Sequence, residues 1–426
     1  MKIGLMGLGT VGSGFYAALQ KATLEDRLPV GEPLQIERIL VRDVTKHHGF
    51  EEQLTTDVWE ILDDPTIPLV VEVMGGMEPA RSYMLEALRR GKSVITANKE
   101  VVAESLSDLV AACRKGGANL YFEASVGAGI PIIQGIHRGL AGNRIHRVSG
   151  VVNGTTNYIL SRMTQEGMEF SQALAEAQAA GYAEADPTDD IEGYDAARKA
   201  AILATIAFGS WVRPDEVSVE GITRISVADI DYGKSQGWIL KLVAEVSRDA
   251  GGVVAEVGPV FLLQSHPLAS VSGAYNAIWV DAFPVGDVMY MGLGAGGNST
   301  ASAVLGDVIE AARDVLDNRD RSGWMPTQSV PLGDPLARSW AYYWRMEVLD
   351  KPGTLAQIAG YLAEAGISLR SVHQNPVADG RAALFLVTHG CTGQSLIDAR
   401  SRMEELPVVV ANTRPIPVWG LDQDGD

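Results

Sequence analysis

The N-terminal segment constrains the fold of this chain more than any other part of its sequence. A short apolar stretch, Ile3–Met6, runs directly into GLGTVG at residues 7–12, which matches the spacing G-x-G-x-x-G, and a helical pattern follows through Gln20. After a strand, such glycines allow a tight turn and a close approach to a pyrophosphate group at the helix N-terminus. The segment predicts the start of a parallel sheet with a dinucleotide site; an ordinary glycine-rich turn is the alternative. The predicted cofactor contacts in this loop are Gly7, Gly9, Thr10, Val11 and Gly12.

The next hundred residues continue to alternate short apolar stretches with helical patterns. Further strands are predicted at Ile36–Val41, Leu69–Val73, Ser93–Thr96 and Asn119–Phe122, and helices at Ala80–Arg90 and Ser107–Lys115. This alternation is typical of a parallel sheet with crossover helices. We therefore expect a Rossmann-type dinucleotide-binding domain over residues 1–130.

Residues 131–320 differ in pattern and predict an α+β domain, which we expect to bind the substrate and to form the subunit interface. Helices are predicted at Ser171–Ala180 and Asp195–Ser210, and strands at Val253–Leu263 and Ala277–Val280. A glycine-rich stretch, Gly292–Val304, leads into a last helix, and a strand near residues 290–318 is expected to return to the first domain. Residues 321–340 contain several Pro, Ser and Gly residues and predict a linker.

The C-terminal part, residues 341–420, predicts a small separate unit. Its strand and helix patterns follow in the order β-α-β-β-α-β, which is the ferredoxin-like, split-βαβ arrangement. The final residues, LDQDGD, predict an exposed acidic tail. The expected fold class is therefore α/β, with a Rossmann-type parallel sheet, an α+β middle domain and a ferredoxin-like C-terminal domain.

Composition excludes several classes of function. The net charge of −18 and the pI of about 4.8 argue against a nucleic-acid or anionic-membrane binder, because both need a basic surface. The only two cysteines, Cys113 and Cys391, cannot form a CxxC zinc site and argue against a secreted disulfide framework. Neither a signal peptide nor a membrane-spanning stretch is recognisable, so a cytoplasmic protein is expected.

The end of the second predicted strand bears on the choice of dinucleotide. Arg42 and Lys46 could hold a 2′-phosphate through charge-assisted hydrogen bonds, which would select NADP. Asp43 could instead bind the ribose hydroxyls of NAD. A solvated charged turn is the remaining alternative. We predict NADP as the cofactor, with some tolerance of NAD.

The stretch from Glu184 to Trp211 begins with acidic residues and ends as an apolar helix. Asp195 and Lys199 lie where the pattern changes, and their spacing of four residues places both on one helix face, next to the side that is to be buried. A lysine near an apolar wall has a lowered pKa and can exchange a proton with a reacting group. The alternative is a weak surface ion pair.

Six motifs follow one another across nearly the whole chain. They are GLGTVG at 7–12, TANKE at 96–100, FEASVGAGIPII at 122–133, NGTTNYIL at 153–160, GYAEADPTDDIEGYDAARK at 181–199 and GAGGNSTASAVLGD at 294–307. Together they resemble the homoserine dehydrogenase family, in its long form with a C-terminal ACT domain. The resemblance implies NAD(P)H-dependent reduction of L-aspartate 4-semialdehyde to L-homoserine, toward threonine, methionine and isoleucine. A dehydrogenase of another small amino-acid aldehyde, or a non-catalytic sensor of a dinucleotide and an amino acid, is the alternative.

The resemblance also implies roles for individual residues. Lys199 would be the general acid in reduction and the general base in oxidation, and Asp195 would hold the α-ammonium group of the substrate and position the lysine. The implied substrate-binding set is Glu184, Asp190, Asp195, Gly154 and Lys99. The implied cofactor contacts outside the first loop are Gly75, Lys99 and Gly296, in addition to Arg42 and Lys46. Alternatives are a plain helix cap at Gly154 and a solvated side chain at Lys99.

Two further ligands are implied by the resemblance. A monovalent cation, sodium, would bind to the carboxylate of Glu123 and to backbone carbonyls of Val126, Ala128 and Ile130, and a buried structural turn is the alternative. The loop Asp350–Leu355 is similar to the ligand loop of ACT domains, with threonine as the implied effector. A dimerising module without ligand is the alternative there, and we expect a homodimer or homotetramer.

Overall fold

The computed structural model describes residues 1–320 and 330–421. Residues 321–329 of the predicted linker and residues 422–426 of the predicted tail lie outside the described residues. The described residues form three domains: a parallel-sheet domain, a second domain with a mixed sheet, and a C-terminal domain whose strands continue that second sheet. Every helix within these ranges is too short or too polar to cross a lipid bilayer.

The first domain is a parallel sheet with helices on both faces. Its strands are β1 Lys2–Met6, β2 Gln35–Leu40, β3 Leu54–Thr55, β4 Leu69–Glu72, β5 Ser93–Thr96 and β6 Leu120–Tyr121. Its helices are α1 Thr10–Leu24, α2 Trp59–Leu62, α3 Ala80–Arg89 and α4 Lys99–Gly116. The strand order β3-β2-β1-β4-β5-β6 reverses between β1 and β4, where doubly wound sheets bind their ligands. The predicted Rossmann-type domain is confirmed.

The second domain packs helices on a sheet that is antiparallel apart from the parallel pairing of its shortest strand with a neighbour. Its helices are α5 Ala124–Gly127, α6 Ile132–Gln134, α7 Gly154–Glu166, α8 Phe170–Ala179, α9 Thr188–Ile191, α10 Tyr194–Phe208 and α11 Val227–Ser235. Its strands are β7 Arg144–Val151, β8 Ser218–Val219, β9 Trp238–Asp249, β10 Gly252–Leu263, β11 Tyr275–Phe283 and β12 Gly286–Leu293. The alanine-rich α10 packs closely against β9, β10 and α4, because small side chains allow near approach. This helix therefore joins the two domains.

The chain returns to the first domain after β12, but as a helix. The strand expected near residues 290–318 is wrong: α12, Gly297–Leu316, packs against α1, while β12 pairs with β11 in the second sheet. The spacing of Ala301, Val304 and Val308 explains this, since apolar residues three and four apart line one helix face. These side chains share a core with Leu5 and Phe15 of the first domain.

The C-terminal domain confirms the predicted β-α-β-β-α-β order, with one additional strand of two residues before its second helix. Its elements are β13 Ser339–Leu349, α13 Thr354–Glu364, β14 Leu369–Val377, β15 Arg381–Thr388, β16 Cys391–Thr392, α14 Gly393–Glu404, β17 Val409–Asn412 and β18 Ile416–Trp419. The last predicted strand is split into β17 and β18, and Pro415 lies in the interruption. Because β18 pairs with both β10 and β13, the second and third domains share one twelve-stranded sheet.

Candidate active site

The glycine loop between β1 and α1 has the geometry of a pyrophosphate site. Gly7 has a φ of +102°, and a Cβ there would lie 2.8 Å from the carbonyl oxygen of Val73 in the loop after β4. A Cβ on Gly12 would lie 2.2 Å from the oxygen of Gly7, so both positions require glycine. A Cβ on Gly9, in contrast, would meet no heavy atom within 4 Å, and α1 begins without a side-chain cap. The loop thus leaves open space and uncapped N–H groups where a pyrophosphate would bind.

Other predicted cofactor contacts lie on loops around the same crevice. Gly75 follows β4 with a φ of +74°, and the side chain of Asn98, after β5, donates a hydrogen bond of 2.8 Å to the oxygen of Gly76. Gly296 precedes α12, and a Cβ on its neighbour Gly297 would lie 3.0 Å from Cγ2 of Thr10. The loops that carry Gly75 and Gly296 are therefore neighbours of the glycine loop.

The turn after β2 presents one unpaired cation. Arg42 is exposed and forms no hydrogen bond or ion pair with any described residue. Asp43 is occupied locally, because its carboxylate accepts hydrogen bonds from the backbone and the hydroxyl of Thr45, at 3.0 and 2.6 Å. These hydrogen bonds hold the pKa of Asp43 below its usual value. Lys46 lies 3.9 Å from Asp43 and is otherwise exposed.

A cluster of one carboxylate and two amines lies between the first and second domains. Lys199 on α10 donates hydrogen bonds to Oδ2 of Asp195, at 2.6 Å, and to the backbone oxygen of Val152, at 2.7 Å. Lys99, at the start of α4 in the first domain, donates to Oδ1 of the same aspartate. The Asp195 and Lys199 side chains are only 2% and 9% exposed, whereas Lys99 is 39% exposed. The alternative of a surface pair does not fit this burial.

Burial and mutual charge set the protonation of this cluster. Burial lowers the pKa of the Lys199 ammonium group; Asp195 opposes that shift and Lys99 adds to it. Burial alone would raise the pKa of Asp195, but the charges of Lys199 and Lys99 outweigh it and hold that pKa far below its usual value. Asp195 therefore stays ionised, and the amine of Lys199 is easier to deprotonate than an exposed lysine.

Asn153 belongs to this cluster and was not among the predicted functional residues. Its Nδ2 donates to Oδ2 of Asp195, at 2.9 Å, and to Oδ1 of Asp190, at 2.6 Å. Its Oδ1 accepts from the backbone of Thr156 at 2.8 Å and caps α7. Because the cap uses the oxygen, the amide nitrogen has to face the two carboxylates. In the sequence, Asn153 opens the NGTTNYIL motif of the family resemblance and is a residue type that commonly caps helices.

The remaining predicted substrate residues differ in their positions. Gly154 starts α7 directly after Asn153, and a Cβ there would lie 3.0 Å from the oxygen of Ala274. Asp190 is half-buried and reaches the cluster through Asn153. Glu184 is exposed, and its carboxylate forms no hydrogen bond or ion pair with any described residue. The structure therefore brings Asp190 and Gly154 to the cluster, and it does not bring Glu184 into contact with it.

The predicted cation loop is buried, but its carboxylate already has partners. The two oxygens of Glu123 accept hydrogen bonds of 2.8 Å from the backbone N–H groups of Ile133 and Gln134. Burial raises the pKa of Glu123 to about 7, against the effect of these bonds. Ala128 has a φ of +51°, which is rare for a residue with a side chain. Glu123 thus fits a cation ligand less well than expected, and the carbonyl oxygen of Ile130 also already accepts a hydrogen bond of 2.8 Å, from the N–H group of Ile132.

Comparison with known proteins shows which family this chain resembles. The family model described as homoserine dehydrogenase matches residues 131–309, and the model of its NAD-binding domain matches residues 7–123. The homoserine dehydrogenases of Mycobacterium tuberculosis and Corynebacterium glutamicum are 44% and 42% identical, over 96% of this chain and 95% and 93% of theirs. The chain belongs to the homoserine dehydrogenase family. It is accordingly an NAD(P)-dependent oxidoreductase. The family model of the ACT domain matches residues 345–408, within the C-terminal domain.

Solved structures agree with this assignment. A homoserine dehydrogenase from Thiobacillus denitrificans aligns with a TM-score of 0.92 and 36% identity, over 98% of each chain. A hyperthermophilic archaeal homoserine dehydrogenase mutant in complex with NADPH aligns with a TM-score of 0.63 and 30% identity, over 75% of this chain and 99% of that one. Because the first alignment covers 98% of this chain, it includes the C-terminal domain.

Proposed function

We propose that the chain reduces L-aspartate 4-semialdehyde to L-homoserine with NAD(P)H and catalyses the reverse oxidation. The observation that carries the proposal is a buried lysine, Lys199, held on ionised Asp195 at the junction of the dinucleotide-binding and second domains. Reduction of an aldehyde needs a hydride on carbon and a proton on oxygen. A bound NAD(P)H supplies the hydride, so the protein has to supply the proton.

In this proposal Lys199 is the proton carrier. In reduction its ammonium group donates a proton to the developing alkoxide oxygen; in oxidation its neutral amine accepts the hydroxyl proton. Burial favours the neutral amine, which brings proton exchange closer to neutral pH. Lys99 reaches the same carboxylate from the first domain, and its positive charge would stabilise the negative oxygen from the cofactor side.

The amino-acid end of the substrate needs a partner for its ammonium group. Both oxygens of Asp195 already accept hydrogen bonds from lysines, so Asp190 is the better candidate within the cluster. We also propose Glu184, in the exposed loop before α9, as a substrate contact, because its carboxylate has no partner among the described residues. Gly154 would contribute a backbone contact at the N-terminus of α7.

The reaction is tested by the initial rate of NADP⁺ reduction with L-homoserine as substrate. We expect activity with L-homoserine and much lower activity with L-serine and other short hydroxy amino acids, because the amino-acid end and the hydroxyl must reach their partners together. NAD⁺ is assayed in parallel. Folded protein that oxidises none of these alcohols would contradict the proposal and favour the dinucleotide sensor.

We propose NADP as the preferred cofactor. The unpaired guanidinium of Arg42 after β2 is free to bind a 2′-phosphate, whereas Asp43 is occupied by Thr45. Arg42→Ala should raise the KM for NADPH by about tenfold or more and leave the KM for NADH nearly unchanged, since one charge-assisted contact is lost. Arg27→Ala, a change at another exposed arginine, serves as the control. Equal effects on both cofactors would contradict the 2′-phosphate contact.

We propose a monovalent cation, sodium, on the backbone carbonyls of Val126, Ala128 and Ile130. The unusual backbone of Ala128 supports a loop shaped to turn carbonyls inward, and Glu123 would contribute charge rather than a dedicated ligand. The role would be structural. The test is the thermal unfolding temperature in sodium chloride and in choline chloride at equal ionic strength, and identical temperatures would contradict the site.

We also propose a homodimer or homotetramer formed through the second domain. The strand β12 lies at the edge of its sheet and exposes Met289, Met291 and Leu293 on one face. Apolar side chains on an open edge favour burial by a second copy. A monomeric mass by light scattering would contradict this.

By resemblance, we place the enzyme in the cytoplasm, in threonine, methionine and isoleucine biosynthesis, with threonine as an effector at the ACT domain.

A further inference from the structure

A cavity of about 290 Å³ lies where the second domain meets the ACT domain. Its wall combines the loop before α11 with the turn between β17 and β18, and it shares no lining residue with the candidate active site. Three charged side chains line it: Glu220 and Arg224 from the second domain, and Arg414 from the ACT domain. The volume is at the lower end of the range for small-molecule sites.

Two of the three charges are paired with each other. The guanidinium of Arg414 forms an ion pair of 3.7 Å with the carboxylate of Glu220, and both side chains are partly exposed, so a ligand can reach them. Arg224 forms no hydrogen bond or ion pair with any described residue. Burial raises the pKa of Glu220, while the charges of Arg414 and Arg224 oppose that shift. The cavity therefore offers two guanidinium groups beside one carboxylate.

The other polar side chains of the wall are already satisfied. The carboxylate of Asp229 accepts a hydrogen bond of 2.7 Å from Arg345, and the side-chain oxygen of Asn412 accepts one of 2.7 Å from Trp344. The hydroxyl of Thr413 donates to the backbone oxygen of Arg345 at 2.6 Å. A ligand would consequently be recognised by the charges of Glu220, Arg224 and Arg414 and not by these groups.

We propose that this cavity binds a small α-amino acid, with its carboxylate between Arg224 and Arg414 and its ammonium group on Glu220. Guanidinium groups hold carboxylates through paired, charge-assisted hydrogen bonds. An inorganic anion or a dicarboxylate would satisfy the arginines but repel Glu220. The inference deepens the proposed amino-acid regulation by giving it a second location, and it rests on the proposed function only for its kinetic consequence.

A bound ligand could act on the active site through one loop. Two residues after Glu220, the N–H group of Ile222 donates a 2.8 Å hydrogen bond to the oxygen of Ile191 in α9. A Cβ on Gly221 would lie 2.4 Å from that oxygen, so the two backbones are in direct contact. Asp190, which directly precedes Ile191 in α9, accepts a hydrogen bond from Asn153 in the catalytic cluster. A ligand that bridges this loop and the ACT domain would therefore bias the position of α9.

The test is isothermal titration calorimetry on the full chain, with L-threonine as the probe. Arg224→Ala and Arg414→Ala should each weaken threonine binding by about tenfold or more, since each removes one charge-assisted contact. Arg402→Ala, at an exposed arginine of α14 outside the cavity, is the matched control and should bind as the wild type does. N-acetyl-L-threonine, which lacks the ammonium group, and inorganic phosphate should bind weakly.

Three results would overturn the cavity assignment. One is threonine binding that survives both arginine variants but is lost in Asp350→Asn, which would place the ligand at the ACT loop. The others are no threonine binding to folded wild type, and phosphate binding as tight as threonine binding. L-homoserine oxidation by the same preparation keeps the proposals apart: activity without threonine binding overturns the cavity alone, and binding without activity overturns the reaction alone.

Discussion

Replacement of Lys199 by alanine is expected to lower kcat for L-homoserine oxidation by about a hundredfold or more, the usual loss when a general base is removed. The amine is buried, and in the described parts of the chain it forms hydrogen bonds only to Asp195 and to the backbone of Val152. Water cannot readily replace it in a position so enclosed. The KM for NADP⁺ should change little, because the predicted cofactor contacts are on other loops.

Lost packing must be separated from lost proton transfer in this experiment. Lys199→Met keeps most of the side-chain volume without the amine, so it should be as slow as the alanine variant. Lys234→Ala, at an exposed lysine of α11, is the control and should retain full activity. Thermal unfolding of each variant checks that the protein is folded. A methionine variant with near wild-type kcat would remove Lys199 from the proposed mechanism.

Much of the first domain could be predicted because its signals are local. The central parallel strands are short and largely apolar: all four residues of β4 and of β5 are buried, as expected for strands covered on both faces. The second sheet was harder to predict. In β9, the buried Lys241 and Glu245 interrupt the apolar pattern. Only tertiary contacts offset the cost of burying such charged groups; Lys241, for example, donates a hydrogen bond of 2.9 Å to Asn157.

The candidate site was predictable where its residues are close in sequence. Asp195 and Lys199 follow from helical spacing alone. The contact between Lys99 and Asp195 joins residues 96 positions apart and depends on how α10 packs against α4, which no local pattern encodes. Asn153 was overlooked for a different reason: its carbonyl oxygen caps a helix, and this common role concealed the amide nitrogen that faces two acids.

Replacement of Asp195 by asparagine should lower kcat by about a hundredfold and also change the pH dependence, because one carboxylate holds both lysines. The negative charge of Asp195 opposes the effect of burial on Lys199 and raises its pKa. Without that charge the pKa of Lys199 falls further below its usual value. Oxidation of homoserine needs the neutral amine, so the ascending limb of the kcat–pH profile should move to lower pH. Reduction needs the ammonium form, so the decline of its kcat at alkaline pH should also move to lower pH.

The control for this prediction is Asp189→Asn, which removes the same charge from an exposed position in α9 that pairs with Arg198. Its pH profile should match that of the wild type, since a solvated charge several residues away is screened. A shift of the Asp195→Asn profile to higher pH would mean that Asp195 does not stabilise the Lys199 ammonium group. An unshifted profile with reduced kcat would show that the titrating group does not contact Asp195, and this result would exclude Lys199 and Lys99 alike, because both donate to that carboxylate.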